Sequence, residues 1–249
     1  MRATRLLALA ASGTLVLTAC GGGDSVDTGG GGGGSDPLIA AVSAQPDQLD
    51  PHVTTAYASF QVLENVYDTL VVPNPEDLTM EPSLAESWDT SDDQLTWTFT
   101  LREGVLFENG RPITAQDVKY GIQRSFASDV IVGGPTYVVD LFDDPANPYP
   151  GPYSREEDDP DLVSVETPDE RTIVFRLRAP APQLLQVLAL PSSSPVPPEA
   201  DTRGDYAIDP VSSGPYAITS VDVATGIRLD RNPHWDPATD DVRTALPDT

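Results

Sequence analysis

The sequence has very few of the residues that build disulfides and imidazole metal sites. Its 249 residues include one cysteine, Cys20, and two histidines, His52 and His234. A single cysteine cannot form an intrachain disulfide or a cysteine-based metal cluster. Two histidines leave little room for a zinc site built on imidazole. The composition therefore predicts neither a disulfide-stabilised fold nor a resident metal.

Basic residues are also scarce. The chain has 14 Lys and Arg residues against 39 Asp and Glu residues, which gives a formal net charge of −25, and Lys119 is its only lysine. A surface this acidic repels phosphate backbones, so nucleic-acid binding is excluded as a function. The acidity by itself identifies no ligand. With 39% apolar residues the chain can still build a hydrophobic core.

No apolar run is long enough to span a membrane. The most apolar segment, Leu6–Leu17, has 12 residues and follows the basic residues Arg2 and Arg5, whereas a membrane helix needs about 20 residues. Leu17-Thr18-Ala19-Cys20 comes next and matches the bacterial lipobox. We therefore predict a lipoprotein signal peptide over residues 1–19 and lipidation of Cys20. The alternative is an ordinary secretory signal with a chance cysteine.

The segment after Cys20 is rich in glycine. Nine of the 16 residues from Gly21 to Asp36 are glycine, and such a composition is typical of a flexible linker. We interpret residues 20–36 as a lipidated cysteine and a tether. A globular part that begins near residue 37 is then held at the outer face of a membrane through its lipid.

Hydrophobic patterning in the globular part predicts both helices and strands. Leu38–Val42 has the pattern of a buried strand, and a helix is expected over 56–71 with Thr54 or Thr55 as its cap. Alternation predicts a strand over 95–101, and Thr114 and Asp117 predict the start of a helix that runs to Phe126.

The second half of the globular part continues this mixture. We expect a strand pair at 163–165 and 172–177, a short helix over 182–190, and a hairpin at 216–223 and 227–229. The intervening segment 143–161, with five prolines and seven acidic residues, is interpreted as an exposed loop. Its acidic run lacks the spacing of a calcium loop, so no metal is predicted there. The pattern favours an α+β or mixed α/β fold over a parallel Rossmann sheet.

An ordered series of motifs runs through the globular part. Its central members are Leu84–Trp88, Leu95–Phe99, Leu101–Phe107, Asn109–Gly110, Ile113–Val118 and Thr172–Phe175. Leu49–His52 precedes them, and Gly214–Tyr216 and Arg231–Trp235 follow them. In this order the motifs resemble extracellular solute-binding family five, the peptide- and nickel-type binding proteins of ABC importers. The likeness runs from Leu38 to about Asp240.

The resemblance implies a two-lobed clamshell of the type II periplasmic-binding-protein kind. Its first lobe would consist of a base subdomain over 37–70 and 191–249 and an inserted subdomain over 71–190. Family members are considerably longer than this chain. We therefore expect an N-terminal fragment that contains the first lobe with its inserted subdomain, and from which lobe II is absent.

The resemblance also implies where a ligand would lie. Thr54, Thr55, Ala56 and Tyr57 fall where the family places a ligand-facing loop, and free amides at a helix start can pair with a peptide. Tyr137 falls roughly where relatives direct an aromatic residue towards the cleft. No nucleophile and base pair points to catalysis, and no cofactor is expected.

Several residues have two interpretations from the sequence. His52 is either a metal ligand, as in nickel-type relatives, or a turn residue after Asp50 and Pro51. Trp88 and Trp97 either stack on a ligand or belong to the core. The turn and core interpretations are favoured in each case.

The implied function is that of a substrate-binding component of an ABC importer, anchored by lipid at the extracytoplasmic face, in the periplasm or at the cell surface. Its partners would be a peptide or similar small solute, the ABC permease subunits and the membrane. The alternatives are a nickel-chelate or other solute binder of the same family, and an acidic surface lipoprotein with no role in transport.

Overall fold

The computed structural model describes residues 38–40, 44–154, 160–222 and 226–243. All of them fall within one compact unit, Ser35–Thr249. The predicted signal peptide, Cys20 and the glycine-rich tether lie outside the described residues. In the described part of the chain, no helix has the length and apolar character needed to cross a membrane.

Four α-helices are described, and most are short. Their bounds are α1 Tyr57–Val66, α2 Ala115–Arg124, α3 Tyr137–Phe142 and α4 Leu184–Leu188. Short 3₁₀ turns lie at Pro191–Ser193, Pro198–Ala200, Arg203–Ile208 and Pro237–Thr239.

The described strands form three antiparallel sheets. Their bounds are β1 Val71–Pro73, β2 Met80–Pro82, β3 Ala85–Thr90, β4 Thr96–Leu101, β5 Val165–Glu166, β6 Thr172–Arg176, β7 Tyr216–Asp222 and β8 Gly226–Arg231. The central sheet has the order β3-β4-β6-β5, while β1-β2 and β7-β8 are hairpins. This arrangement confirms a mixed α and β architecture without a parallel sheet.

Buried apolar residues form two clusters. The larger lies around the central sheet and extends from Leu70 to Leu188 along the chain, with Phe99, Phe142 and Phe175 in aromatic contact at its centre. Trp88 and Trp97 pack against this cluster, as expected for core residues. The smaller consists of Leu49, Leu63, Val66 and Tyr67, with partly buried residues of α1 and the β7-β8 hairpin packed against it.

Helix α1 is shorter than the sequence indicates. We expected a helix over 56–71, but Tyr67 is already extended and Val71 begins β1. The carbonyl of Val66 accepts hydrogen bonds from the amides of Ser213 and Gly214 at 3.1 and 2.7 Å, and from the hydroxyl of Ser212 at 2.7 Å. A segment distant in the sequence thus satisfies this carbonyl, which a local pattern cannot reveal.

The predicted strand at Leu38–Val42 is wrong where it is described. Residues 38–40 have no regular structure, Leu38 and Ile39 are exposed, and residues 41–43 lie outside the described part.

Helix α2 begins as its sequence predicts. The buried carboxylate of Asp117 accepts from the amide and the hydroxyl of Thr114, both at 2.8 Å, and forms a two-point ion pair with Arg111. A hydrogen bond of this kind, from a free amide at a helix start to a side chain, stabilises the helix by about 1 kcal/mol. The helix is thereby fixed at its first turn, and its other end places Arg124 in the interior.

Close packing of α2 gives a first prediction. A Cβ at Gly121 would lie 2.0 Å from the carbonyl oxygen of Ser194, a backbone atom that cannot yield without moving its segment. Gly121→Ala should lower the free energy of unfolding by about 2 kcal/mol or more in urea denaturation, although alanine is the better helix former. Gly204→Ala, where the nearest atom is 3.9 Å away, is the matched control and should change stability by less than about 0.5 kcal/mol. Equal stability of both variants would contradict the packing described.

Candidate functional site

The predicted ligand-facing residues lie at the amino end of α1, but they do not all face outwards. Thr54 is buried, and its hydroxyl donates to Asp47 Oδ1 at 2.8 Å and accepts from the amide of Ala56 at 3.1 Å. Thr55 and Tyr57 are exposed, and 73% of Tyr57 is accessible. The surface at this point is therefore formed by Thr55, Ala56 and Tyr57, while Thr54 holds the turn beneath it.

The cap of α1 differs from the prediction. Ala56, rather than Thr54 or Thr55, occupies the N-cap position, and no side chain caps the first turn. The hydroxyl of Thr54 instead donates to the Asp47 carboxylate and accepts from the amide of Ala56, the N-cap residue itself. No side chain accepts a capping hydrogen bond from the first turn of α1.

The second predicted segment, Gly133–Tyr137, lies directly against the turn that precedes α1. A Cβ on Gly134 would come within 2.1 Å of the carbonyl oxygen of His52, so only a glycine allows this approach. Tyr137, which begins α3, and Val132 are both more than half exposed. The structure thus brings the loop before Tyr137 into contact, through Gly134 and His52, with the turn that precedes Thr54–Tyr57.

Beneath this contact lies a buried charge cluster centred on Arg124, the last residue of α2. The side chain of Arg124 is fully buried. Its guanidinium donates to Asp50 Oδ2 at 2.8 Å and Oδ1 at 3.1 Å, to His52 Nδ1 at 2.7 Å and to the carbonyl of Arg203 at 3.1 Å. Its carbon Cζ lies 4.6 Å from the ring centre of Tyr206. We call Asp50, His52, Arg124 and Asp201 the Arg124 cluster.

Asp201 closes the cluster on the opposite side. Its Oδ1 lies 3.3 Å from Arg124 Nε, and its Oδ2 accepts from the hydroxyls of Tyr120 at 2.8 Å and Tyr153 at 2.6 Å. Two carboxylates therefore surround one guanidinium. The cluster connects the turn before α1, the end of α2 and the segment around the second and third 3₁₀ turns.

The surroundings shift the pKa values of the cluster. Burial opposes ionisation of Asp50, but its contacts with His52 and Arg124 outweigh this effect and hold the pKa of Asp50 well below its usual value. Burial lowers the pKa of His52, and the positive charge of Arg124 adds to this against the opposing effect of Asp50. Asp50 is thus ionised and His52 neutral at pH 7.

These contacts support the turn interpretation of His52. The backbone amide of His52 donates to Asp50 Oδ1 at 2.9 Å, which closes the turn. Its side chain is buried beside Arg124. Arg124 and Asp201, which complete the cluster, were not predicted as functional, because an arginine in the last helical turn normally indicates only favourable pairing with the helix end.

The comparisons with known proteins identify the family. Residues 79–245 match the model of the bacterial extracellular solute-binding proteins, family 5. The chain belongs to this family. The mixed α/β fold of the type II periplasmic-binding-protein kind, predicted from the sequence, is thereby confirmed.

Several relatives whose names refer to peptides align with most of this chain. The probable D,D-dipeptide-binding periplasmic protein DdpA of Escherichia coli is 30% identical over 211 residues, which is 80% of this chain and 36% of that protein. The structure of the clavulanic acid biosynthesis oligopeptide binding protein 2 is 46% identical with a TM-score of 0.77, over 83% of this chain and 38% of that one. The OppA of Haemophilus influenzae in complex with RPPGFSPFR is 25% identical with a TM-score of 0.63, over 77% of this chain and 37% of that one. The chain therefore spans less than two fifths of these proteins.

The Arg124 cluster gives the second prediction. Arg124→Met should lower the free energy of unfolding by about 3–5 kcal/mol, because it leaves the Asp50 carboxylate buried without its cation. Arg176→Met is the matched control, since Arg176 pairs with Glu166 on the surface with both side chains about half exposed, and it should cost less than about 1 kcal/mol. Urea denaturation of both variants checks this. A similar small loss in both would show that the buried cluster contributes no more than a surface pair.

Proposed function

We propose that this chain belongs to the substrate-binding component of an ABC importer that captures peptides or similar small solutes at the extracytoplasmic face of the membrane. The observation that carries the proposal is the family match over residues 79–245, together with relatives named as peptide-binding proteins. ABC permease subunits are the partners that such a component requires. Because the relatives are named as binding proteins, we propose capture of a solute without covalent chemistry.

The proposed ligand surface consists of Thr55, Ala56 and Tyr57 together with Tyr137. The uncapped first turn of α1 can donate backbone hydrogen bonds to a peptide carbonyl or carboxylate. The two exposed tyrosines offer flat apolar faces with a polar tip, which suits peptide side chains. Thr54 contributes by fixing the turn through Asp47.

The proposed subdomain division also follows the distribution of the core. The larger cluster draws its residues from 70–188, close to the proposed inserted subdomain 71–190. The smaller cluster combines residues from 49–67 with partly buried residues from 207–229, as a base subdomain over 37–70 and 191–249 requires. Two separate cores in one lobe support this division.

We further propose that the protein is held to the membrane by a lipid on Cys20. The support is the complete lipobox at Leu17–Cys20 and the glycine-rich segment that follows it.

Peptide binding gives the third prediction. In ¹⁵N NMR spectra of the chain titrated with trialanine, shifts should concentrate at residues 54–60 and 133–138. We expect weak binding, since the chain spans less than two fifths of its relatives and one open face leaves a ligand largely hydrated. Tyr57→Ser should weaken binding about fivefold through loss of one aromatic contact.

Leu78→Ser is the control for that substitution, because Leu78 is also 73% exposed but lies in the β1-β2 hairpin. It should leave the affinity for trialanine unchanged. Shifts that are absent, or that concentrate on the β1-β2 hairpin, would overturn the proposed ligand surface.

Membrane attachment gives the fourth prediction. Cys20→Ser removes the acceptor for the lipid, so the variant should move from the membrane to the soluble fraction with an unchanged circular dichroism spectrum. Sedimentation after a salt wash checks this, with Arg176→Met as a control that stays in the membrane fraction. A Cys20→Ser variant that still sediments with washed membranes would show that the attachment does not depend on this lipid.

A further inference from the structure

We propose that His52 is a positioning residue: its neutral imidazole holds the Gly133–Tyr137 loop against the turn before α1, and its protonation releases that loop. The release would separate the two segments to which we assign ligand contact. The release itself requires no ligand. Its effect on affinity rests on the function proposed above.

The geometry around the imidazole disfavours a second ring proton, although Asp50 Oδ1 lies 3.3 Å from Nδ1. Arg124 can only donate hydrogen bonds, so its contact of 2.7 Å requires His52 Nδ1 to be an acceptor. The single ring proton of neutral His52 is therefore on Nε2, which is buried and has no hydrogen-bond acceptor within reach among the described residues. Protonation of Nδ1 would break the contact with Arg124 and place two cations side by side in the interior.

The loop responds to His52 because it packs on the backbone of that residue. A Cβ on Gly134 would lie 2.1 Å from the carbonyl oxygen of His52 and 3.1 Å from the Ile131 side chain. The loop is also joined to the segment after α2, since the amide of Ile131 donates to the carbonyl of Ala127 at 2.7 Å. A displacement of the 50–53 turn therefore removes the surface on which the loop rests.

The charged groups that face the imidazole do not offset this effect. Asp50 on the same turn and Asp201 both favour the imidazolium, whereas Arg124 and complete burial oppose it, and the net pKa of His52 is lowered. Both carboxylates are already within hydrogen-bond or ion-pair distance of Arg124. Asp50 Oδ1 also lies 3.3 Å from His52 Nδ1, but both oxygens of Asp50 already accept from the Arg124 guanidinium.

Linkage fixes the sign and the size of the pH effect. In the open loop the imidazole titrates near its ordinary value of 6.5, and in the closed loop it stays neutral at that pH. Above pH 6.5 the closed form is fully favoured, and below it the opening equilibrium should rise about tenfold per pH unit. From pH 7.5 to 5.5 the opening constant should therefore increase about tenfold.

Apart from His52, the chain has one histidine, His234. Burial raises the pKa values of Glu64 and Glu108, and uptake of protons by these carboxyls in the folded state would increase stability at low pH. Their effect is thus opposite in sign to that of His52.

Amide hydrogen exchange of the ligand-free chain at pH 7.5 and 5.5 tests the proposal. After correction for intrinsic rates, protection at 52–54 and 131–134 should fall about tenfold, while protection in β4 and β6 should stay constant. His52→Gln should abolish the change and His234→Gln should retain it. Constant protection at both segments would overturn the proposal, because protonation of His52 would then not open the loop. An equal loss of protection in β4 and β6 would also overturn it, because the effect would then be unfolding of the whole chain.

Two further measurements keep the test independent of the variant and of the ligand. If His52→Gln does not fold, the wild-type imidazole can be titrated and followed by NMR instead. An imidazole that titrates at pH 6.5 while the resonances of the 133–137 loop stay unchanged would overturn the positioning role. The affinity for trialanine should be weaker at pH 5.5 than at 7.5, and equal affinity would overturn the role. Failure to bind trialanine at either pH would count against the proposed function, while the exchange data would still decide the role of His52.

Discussion

The buried guanidinium of Arg124 is the interaction on which the arrangement of the candidate site depends. A charge without exposure to water is tolerated only when it is paired and fully hydrogen bonded, and Arg124 has carboxylates on both sides, an imidazole, a backbone carbonyl and an aromatic ring around it. These partners come from the turn before α1 and from the segment that follows the second 3₁₀ turn. Each of these segments must keep its position, because the departure of either would leave a buried charge unpaired.

The same constraint connects the two hydrophobic clusters to each other. One cluster surrounds the central sheet, and the other lies between α1 and the β7-β8 hairpin. Arg124 belongs to the α2 side and Asp50 to the α1 side, so their ion pair crosses between them. Hydrogen bonds from Ser212, Ser213 and Gly214 to the carbonyl of Val66 join α1 to the segment before β7, on the side of the smaller cluster. Hydrophobic packing supplies most of the stability in each cluster, while the polar contacts define how the segments align.

Much of the fold could be predicted from local patterns, and the errors have specific physical reasons. Alternation identified β4, and Thr114 with Asp117 identified the start of α2, because these signals depend on neighbours in the sequence. The end of α1 was missed because its last carbonyl is satisfied by residues near 213. The site was predicted only in outline. Thr55 and Tyr57 are at the surface as expected, but the roles of Arg124 and Asp201 depend on contacts between residues 74 and 77 positions apart in the sequence, which no local pattern contains.

The most direct test of this account measures whether the Arg124 cluster aligns the two segments of the candidate site. Spin labels at Thr55→Cys and Asp140→Cys, in a Cys20→Ser background that removes the only native thiol, report the distance between the amino end of α1 and helix α3 by pulsed electron resonance. The account predicts a narrow distance distribution with Arg124 present and a broad one in Arg124→Met under conditions where the variant is folded. A distribution that stays equally narrow in the folded variant would contradict the account, because the alignment would then come from apolar packing alone.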